Sequence, residues 1–244
     1  MPAAAPRVSP PLPANAALLL DLDGTLLDIA PTPTSVVVPP ELPGLLRRLG
    51  ARLGGALALV SGRTIAEIDA LLPEAPFAVA GEHGCAIRFA PGAAVEREAL
   101  PEMPAFWAVE AEALARAHRG ALMERKAHGL VLHYRQAPEA GEALYAGLVA
   151  LLAGAGEEFA ILPGKMIWEV KPRGVDKGSA VARLMARPPF AGRLPVFVGD
   201  DVTDEDGFRA ARALGGWGLE VAECFGDAAG VRAWLSAQAE AHFA

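Results

Sequence analysis

The chain has 244 residues, enough for one large domain or two small ones with a sizeable core. Its formal net charge of -7 argues against nucleic-acid binding and against anionic membranes, since neither attracts an acidic surface. Hydrophobic residues make up 52% and charged residues 21%, a globular balance with no apolar run as long as a membrane span.

With this acidic balance, an anionic substrate would need local help from a metal or clustered Lys and Arg. The sequence leaves the oligomeric state open, a monomer included. Cys85 and Cys224 match no metal spacing and read as two reduced thiols of a cytoplasmic protein. Residues 1–13, rich in proline and alanine, read as a disordered lead-in and not as a signal peptide.

In chain order, residues 17–20 of AALLLDLDGTLLD predict a short buried strand, bounded by a turn signal at Gly24. A strand ending in Asp21-x-Asp23 presents both carboxylates on one face. Left bare in a desolvated place, such a pair is costly, and Mg²⁺ is the natural resolution. A proline-rich loop over 31–40 leads to a helix near 41–49. A second strand over 56–60 ends in Ser61-Gly62-Arg63, and Thr64 opens a helix with Glu67 three residues on, a capping box. A third strand over 78–80 runs into GEHG.

The middle of the chain has a different pattern. A helix over 104–118 precedes strands over 121–126 and 130–135 around a turn at His128-Gly129. A helix over 139–152 then precedes a hairpin over 159–162 and 166–171 around Pro163-Gly164. Beyond it, 177–186 reads as a helix and 194–198 as a strand ending in GDDVTDED.

Four short apolar strands alternating with helices predict an α/β fold with a Rossmann-like parallel-sheet core, over 14–91 and 172–244. The twice-repeated helix and hairpin predict an inserted α+β cap over 92–171, with hinges near 88–92 and 171–174. Ligands of such sheets sit beyond the carboxyl ends of the strands. The polar clusters after Leu20, Val60, Ala80 and Val198 should therefore converge.

Taken alone, each cluster has a plainer reading. Asp21 and Asp23 fit a metal site, a solvated turn, or a nucleophile with its acid/base partner. Ser61 fits a turn. Lys177 fits a surface lysine, and Asp176 an N-cap. Five acidic residues from Asp200 to Asp206 would repel one another without a cation, unless some of them start a helix. Glu124 and Lys126 share strand parity, as do Lys165, Ile167 and Glu169, which fits a salt-bridged sheet face.

Together, DLDGT, Ser61 in LVSGR, Lys177 in VDKGSA and GDDVTDE resemble, in that order, the haloacid dehalogenase-type phosphohydrolases. A cap of the C2 type between the second and third segments is the arrangement of the subgroup acting on sugar phosphates. GEHG followed by Arg88, GDDVTDE and the Glu124-x-Lys126 pair resemble the trehalose-6-phosphate phosphatases.

The resemblance implies hydrolysis of trehalose 6-phosphate, with Asp21 attacking phosphorus to form an aspartyl-phosphate. Asp23 would protonate the leaving oxygen and then activate water, and its backbone carbonyl would ligate Mg²⁺ beside Asp21 and Asp200. Thr25, Ser61 and Lys177 would hold the phosphoryl group, with Asp201 and Asp204 in the outer shell. Arg63, His83, Arg88, Glu124, Lys126 and Glu169 would bind substrate. His118, His128 and His133 form no metal pattern and receive no role. Other readings of the same motifs are a phosphatase of sucrose phosphate or mannosylphosphoglycerate, a phosphomutase, and an inactive sugar-phosphate sensor.

Overall fold

The computed structural model describes residues 10–30, 35–73, 75, 77–126, 128–153 and 158–240. It separates into two compact units, Met1–Glu98 with Val175–Ala244, and Ala99–Gly174.

The first unit opens with β1 (Ala16–Leu20), α1 (Leu42–Arg52), β2 (Leu57–Val60), α2 (Ile65–Leu71), β3 (Ala78–Gly81), β4 (Ala86–Arg88) and β5 (Glu96–Arg97). The second unit holds α3 (Ala105–Arg116), β6 (Leu122–Arg125), β7 (Leu130–His133), α4 (Gly141–Leu152), β8 (Phe159–Gly164) and β9 (Ile167–Pro172). The first unit resumes with α5 (Lys177–Met185), β10 (Leu194–Gly199), α6 (Glu205–Ala213), β11 (Trp217–Glu220), α7 (Val221–Cys224) and α8 (Ala228–Glu240).

Seven strands form the sheet of the first unit, in the order β11-β10-β1-β2-β3-β4-β5. The run from β11 to β3 is parallel, and β4 and β5 add antiparallel pairs. Every residue of β1, β2 and β3 is buried, whichever way its side chain points. Both faces of the sheet are therefore covered, as a parallel sheet requires. The helices pair off as α1 with α8 and α5 with α6. Leu18, Leu19, Leu20, Leu46, Phe197 and Phe208 belong to one continuous core.

The sheet is wider than the four strands expected. Trp217–Glu220 lies at its edge, carries Gly218 and buries only Leu219, so no apolar run announces it. Residues 92–98, expected in the inserted segment, belong to the first unit, where Ile87 pairs with Glu96 and Glu98 N–H donates to Cys85 O. Residues 10–13, expected within the disordered lead-in, are held against α8. Leu12 is buried, its N–H donates to Gln238 Oε1 at 2.8 Å, and Trp234 Nε1 donates to Pro10 O. Residues 1–9 of that lead-in, and 31–34 of the proline-rich loop, lie outside the described residues.

The second unit is a four-stranded antiparallel sheet in the order β6-β7-β9-β8, with α3 and α4 packed on one face. Period-2 alternation sends Leu130, Leu132, Val170 and Phe159 toward Trp107, Leu144 and Leu148 of the helices. The opposite face carries Glu124, Val131 and Glu169 in one cross-strand row.

The hairpin turns at Lys165-Met166, not at Pro163-Gly164, and Met166 has φ 65°. Pro163 and Gly164 stay in β8, opposite Trp168 and Ile167. Because β8 is an edge strand, the N–H that proline lacks is not needed there. Among the described residues, no helix is long and apolar enough to cross a membrane.

Candidate active site

Asp21 follows β1 directly, and its N–H still donates to Val198 O, so the backbone holds it against β10. Its residue is 4% exposed. Lys177 is the first residue of α5, whose N-cap Asp176 forms a capping box with Ser179. From that anchored start, the buried Nζ of Lys177 reaches Asp21 Oδ1 at 2.7 Å and Asp204 Oδ1 at 2.6 Å.

The other oxygen of Asp204 accepts the N–H groups of Asp200 and Asp201, both at 3.0 Å. A Cβ on Gly199 would collide with that carboxylate, so the glycine before the two aspartates is a steric requirement. Thr25 Oγ1 lies 3.1 Å from Asp200 Oδ1 and 3.4 Å from Asp21 Oδ2, spanning the loops after β1 and β10. Gly24 has φ 80°, and a Cβ there would strike the Asp200 carboxylate.

Two carboxylates thus share one ammonium, and Asp200 is joined to them through Thr25. Burial pushes the Asp21 carboxyl up to about 7, opposed by Lys177 and reinforced by Asp204. Burial likewise raises Asp200. For Lys177, burial acts to lower the pKa, but the charges of Asp21 and Asp204 outweigh it and hold the ammonium above its ordinary value.

Asp21, Asp200 and Asp204 each offer an oxygen within 4.8 Å of the others. Asp204 already serves Lys177 and two N–H groups, which leaves Asp21 Oδ2 and Asp200 facing a common point. An all-oxygen donor set with excess negative charge fits a hard divalent cation.

Asp23 does not join Asp21. Regular strand pairing ends at Leu20, so period-2 alternation no longer governs the side chain two residues on. Arg63 grips the Asp23 carboxylate with both arms, Nε to Oδ2 at 2.6 Å and a terminal nitrogen to Oδ1 at 2.7 Å. The two carboxylates expected to share one cation each pair with a basic side chain of their own, Asp21 with Lys177 and Asp23 with Arg63.

Ser61 is buried after β2, and its Oγ accepts the Arg63 N–H. The GEHG turn is laced to this loop by Glu82 N–H to Arg63 O and His83 N–H to Ser61 O. Glu82 and His83 both have positive φ, 54° and 56°. The imidazole of His83 lies where a Cβ on Gly62 would be, 2.8 Å from its Cε1.

Two expected residues have side chains committed elsewhere. The guanidinium of Arg88 is committed to Asp69 on α2, through two bonds of 2.7 Å. Asp201 is exposed and caps its own turn through the Val202 N–H.

The remaining observation is a family model described as trehalose-phosphatase, which matches residues 19–237. The chain belongs to that family. A probable trehalose-phosphate phosphatase of Sinorhizobium fredii is 44% identical over 209 residues, covering 85% of this chain and 78% of that protein. The trehalose-6-phosphate phosphatase of Escherichia coli is 39% identical over 213 residues, covering 87% and 80%. The solved C-terminal domain of the Candida albicans trehalose-6-phosphate phosphatase superposes with a TM-score of 0.73, covering 96% of this chain and 99% of that one. At 20% identity, that likeness speaks for the fold.

In this trehalose-phosphatase family member, the other expected residues lie on the sheet of the second unit. Glu124 Oε1 pairs with Lys126 Nζ at 2.5 Å, and its Oε2 meets His133 Nε2 at 2.9 Å. Burial acts to raise the Glu124 carboxyl, but hydrogen bonds from Lys126 and His133 hold it below its usual range. Burial raises Glu169, against the pull of Lys171 and Lys126. His133 received no role from the sequence. The available signal was its parity across the His128-Gly129 turn, which sets it on the face of Glu124 and Lys126.

Proposed function

We propose that this protein hydrolyses trehalose 6-phosphate to trehalose and inorganic phosphate through an aspartyl-phosphate on Asp21. The observation that carries this reading is the buried Lys177, which clamps one oxygen of Asp21 and leaves the other beside Thr25 and the Asp200 carboxylate. A carboxylate held in line by a fixed ammonium is positioned for attack, and positioning is most of what phosphoryl transfer asks of a protein.

Asp21 attacks phosphorus as the bond to the sugar oxygen breaks, and Asp23 gives that oxygen a proton. Asp23 then takes a proton from the water that attacks the aspartyl-phosphate, which restores the Asp21 carboxylate and releases phosphate. Thr25, Ser61 and Lys177 hold phosphoryl oxygens as donors. The carboxylates of Asp21 and Asp200 and the backbone carbonyl of Asp23 would hold Mg²⁺, which would supply positive charge against the phosphoryl oxygens. Asp204 keeps Lys177 in place, and Asp201 completes the acidic surroundings.

Sugar recognition belongs to Glu124, Lys126 and Glu169. Glu124 and Glu169 occupy the same cross-strand row on either side of Val131, two strand spacings or about 10 Å apart. Two acceptors at that separation, with a lysine donor beside one of them, suit an uncharged disaccharide rich in hydroxyls. Arg63 and His83 act beside Asp23 and Ser61, and Arg88 through the support it gives α2. Relatives named for this substrate point the same way.

The test is phosphate release across a panel of sugar phosphates, with Mg²⁺ present and then chelated. The expected result is preference for trehalose 6-phosphate and loss of turnover on chelation. A preference for sucrose phosphate or mannosylphosphoglycerate, or a phosphorylated sugar as the main product, would overturn the reading.

A further inference from the structure

We propose that His133 is a positioning residue for sugar recognition, acting through Glu124. The inference deepens the function proposed above and rests on it. Glu124 stands on β6, an edge strand of the second unit's sheet, where its side chain is 46% exposed. An exposed glutamate samples several rotamers, and freezing it at the moment of binding weakens affinity.

Here the freezing is done in advance. Lys126 holds Oε1 and His133 holds Oε2, so both oxygens are fixed before any sugar arrives. A carboxylate only accepts, so Nε2 of His133 is the donor, and the neutral imidazole can make this bond. Each Glu124 oxygen keeps a further lone pair for a sugar hydroxyl.

The backbone makes the arrangement obligatory. His133 pairs with Leu122 in the ladder and Glu124 with Val131, so the two side chains are diagonal neighbours on one face. The next residue, Tyr134, points to the opposite face. It stacks on Trp168 at 6.1 Å, and its ring occupies the space that a Cβ on Gly141 would need. Anchoring Tyr134 among the helices turns His133 outward by strand alternation.

The experiment is a double-mutant cycle on the full chain, comparing kcat/KM for trehalose 6-phosphate with that for phenyl phosphate, which carries no sugar. His133→Ala is expected to lower this ratio about tenfold through KM for the sugar phosphate, the size of one lost hydrogen bond to a charged group. His133→Gln, which restores an N–H donor, should recover most of the ratio. In a Glu124→Ala background, His133→Ala should have no further effect.

Equal loss in both backgrounds, no loss in either, or failure of the glutamine to rescue would overturn the proposal. Thermal melts of each variant separate misfolding from lost recognition. If the wild type prefers another sugar phosphate, the substrate reading fails, and the same cycle run on that substrate still decides the role of His133.

Discussion

The acidic cluster of the first unit and the charged sheet face of the second solve the same problem in opposite surroundings. Lys177, Asp21 and Asp204 have side chains 3%, 5% and 0% exposed, and every bond among them joins distant parts of the chain. Glu124, Lys126 and His133 are 46%, 50% and 39% exposed and lie on two neighbouring strands or one residue beyond. Burial makes the first set interdependent, because removing one member strands the others in a low dielectric. Solvent makes the second set separable, since an exposed pair contributes little to folding. The contrast shows that the buried cluster of the first unit cannot lose a member without a cost in stability, whereas the exposed set of the second can vary at little thermodynamic cost.

The largest effect expected to test this contrast is Asp21→Asn. It removes the attacking oxygen's charge and should reduce phosphate release by about four orders of magnitude or more, read in a sensitive phosphate assay. Cooperative unfolding should persist, because the amide oxygen still accepts from Lys177. Residual turnover near that of the wild type would mean that Asp21 is not the nucleophile.

Next is Asp204→Ala, which leaves Lys177 with one carboxylate and two N–H groups without their acceptor. A loss of about 3–5 kcal/mol is expected from urea denaturation, with activity falling alongside. A stable, inactive variant would show that the cluster's role in folding has been overstated.

Lys126→Ala should behave in the opposite way. Its pair with Glu124 is half-exposed, so stability should change by only about 0–1 kcal/mol, while KM for the sugar phosphate rises. A destabilisation as large as that of Asp204→Ala would erase the distinction between the two regions.

The smallest effect is expected at Glu169, whose carboxyl is raised by burial. The folded state then holds this proton more tightly than the unfolded chain. Its contribution to stability therefore falls as pH climbs from the ordinary carboxylate range through the raised value. Glu169→Gln should raise the melting temperature near about pH 7, and the gain should vanish below about pH 4, where both states are protonated. A gain independent of pH would point to packing instead.

Much of the first unit was legible because its strands are buried on both faces and read as unbroken apolar runs. LLL before Asp21, LALV before Ser61 and PVFV before Gly199 each end where polar loops begin. The Thr64–Glu67 capping box was equally plain and is present. The edge strands were hidden for the complementary reason. Glu96–Arg97 is exposed on both residues, and WGLE buries only one, so neither carries a periodic signal. The hairpin turn was misplaced because Pro163-Gly164 is strong turn chemistry, overruled by an edge position that tolerates both residues.

Among the site residues, Asp21, Thr25, Ser61, Lys177, Asp200 and Asp204 could be named because each stands at a strand end or a helix start. Their partners could not. Local periodicity and caps, written over a few residues, sufficed for the parallel core, the inserted helix-and-hairpin segment and the chemical types gathered at the carboxyl ends of the strands. Which basic side chain takes which carboxylate emerged with the three-dimensional packing: Lys177 to Asp21 and Asp204, Arg63 to Asp23, Arg88 to Asp69, His133 to Glu124. Charge pairing depends on distances of a few ångströms between side chains that can be more than a hundred residues apart, and no local pattern carries that information.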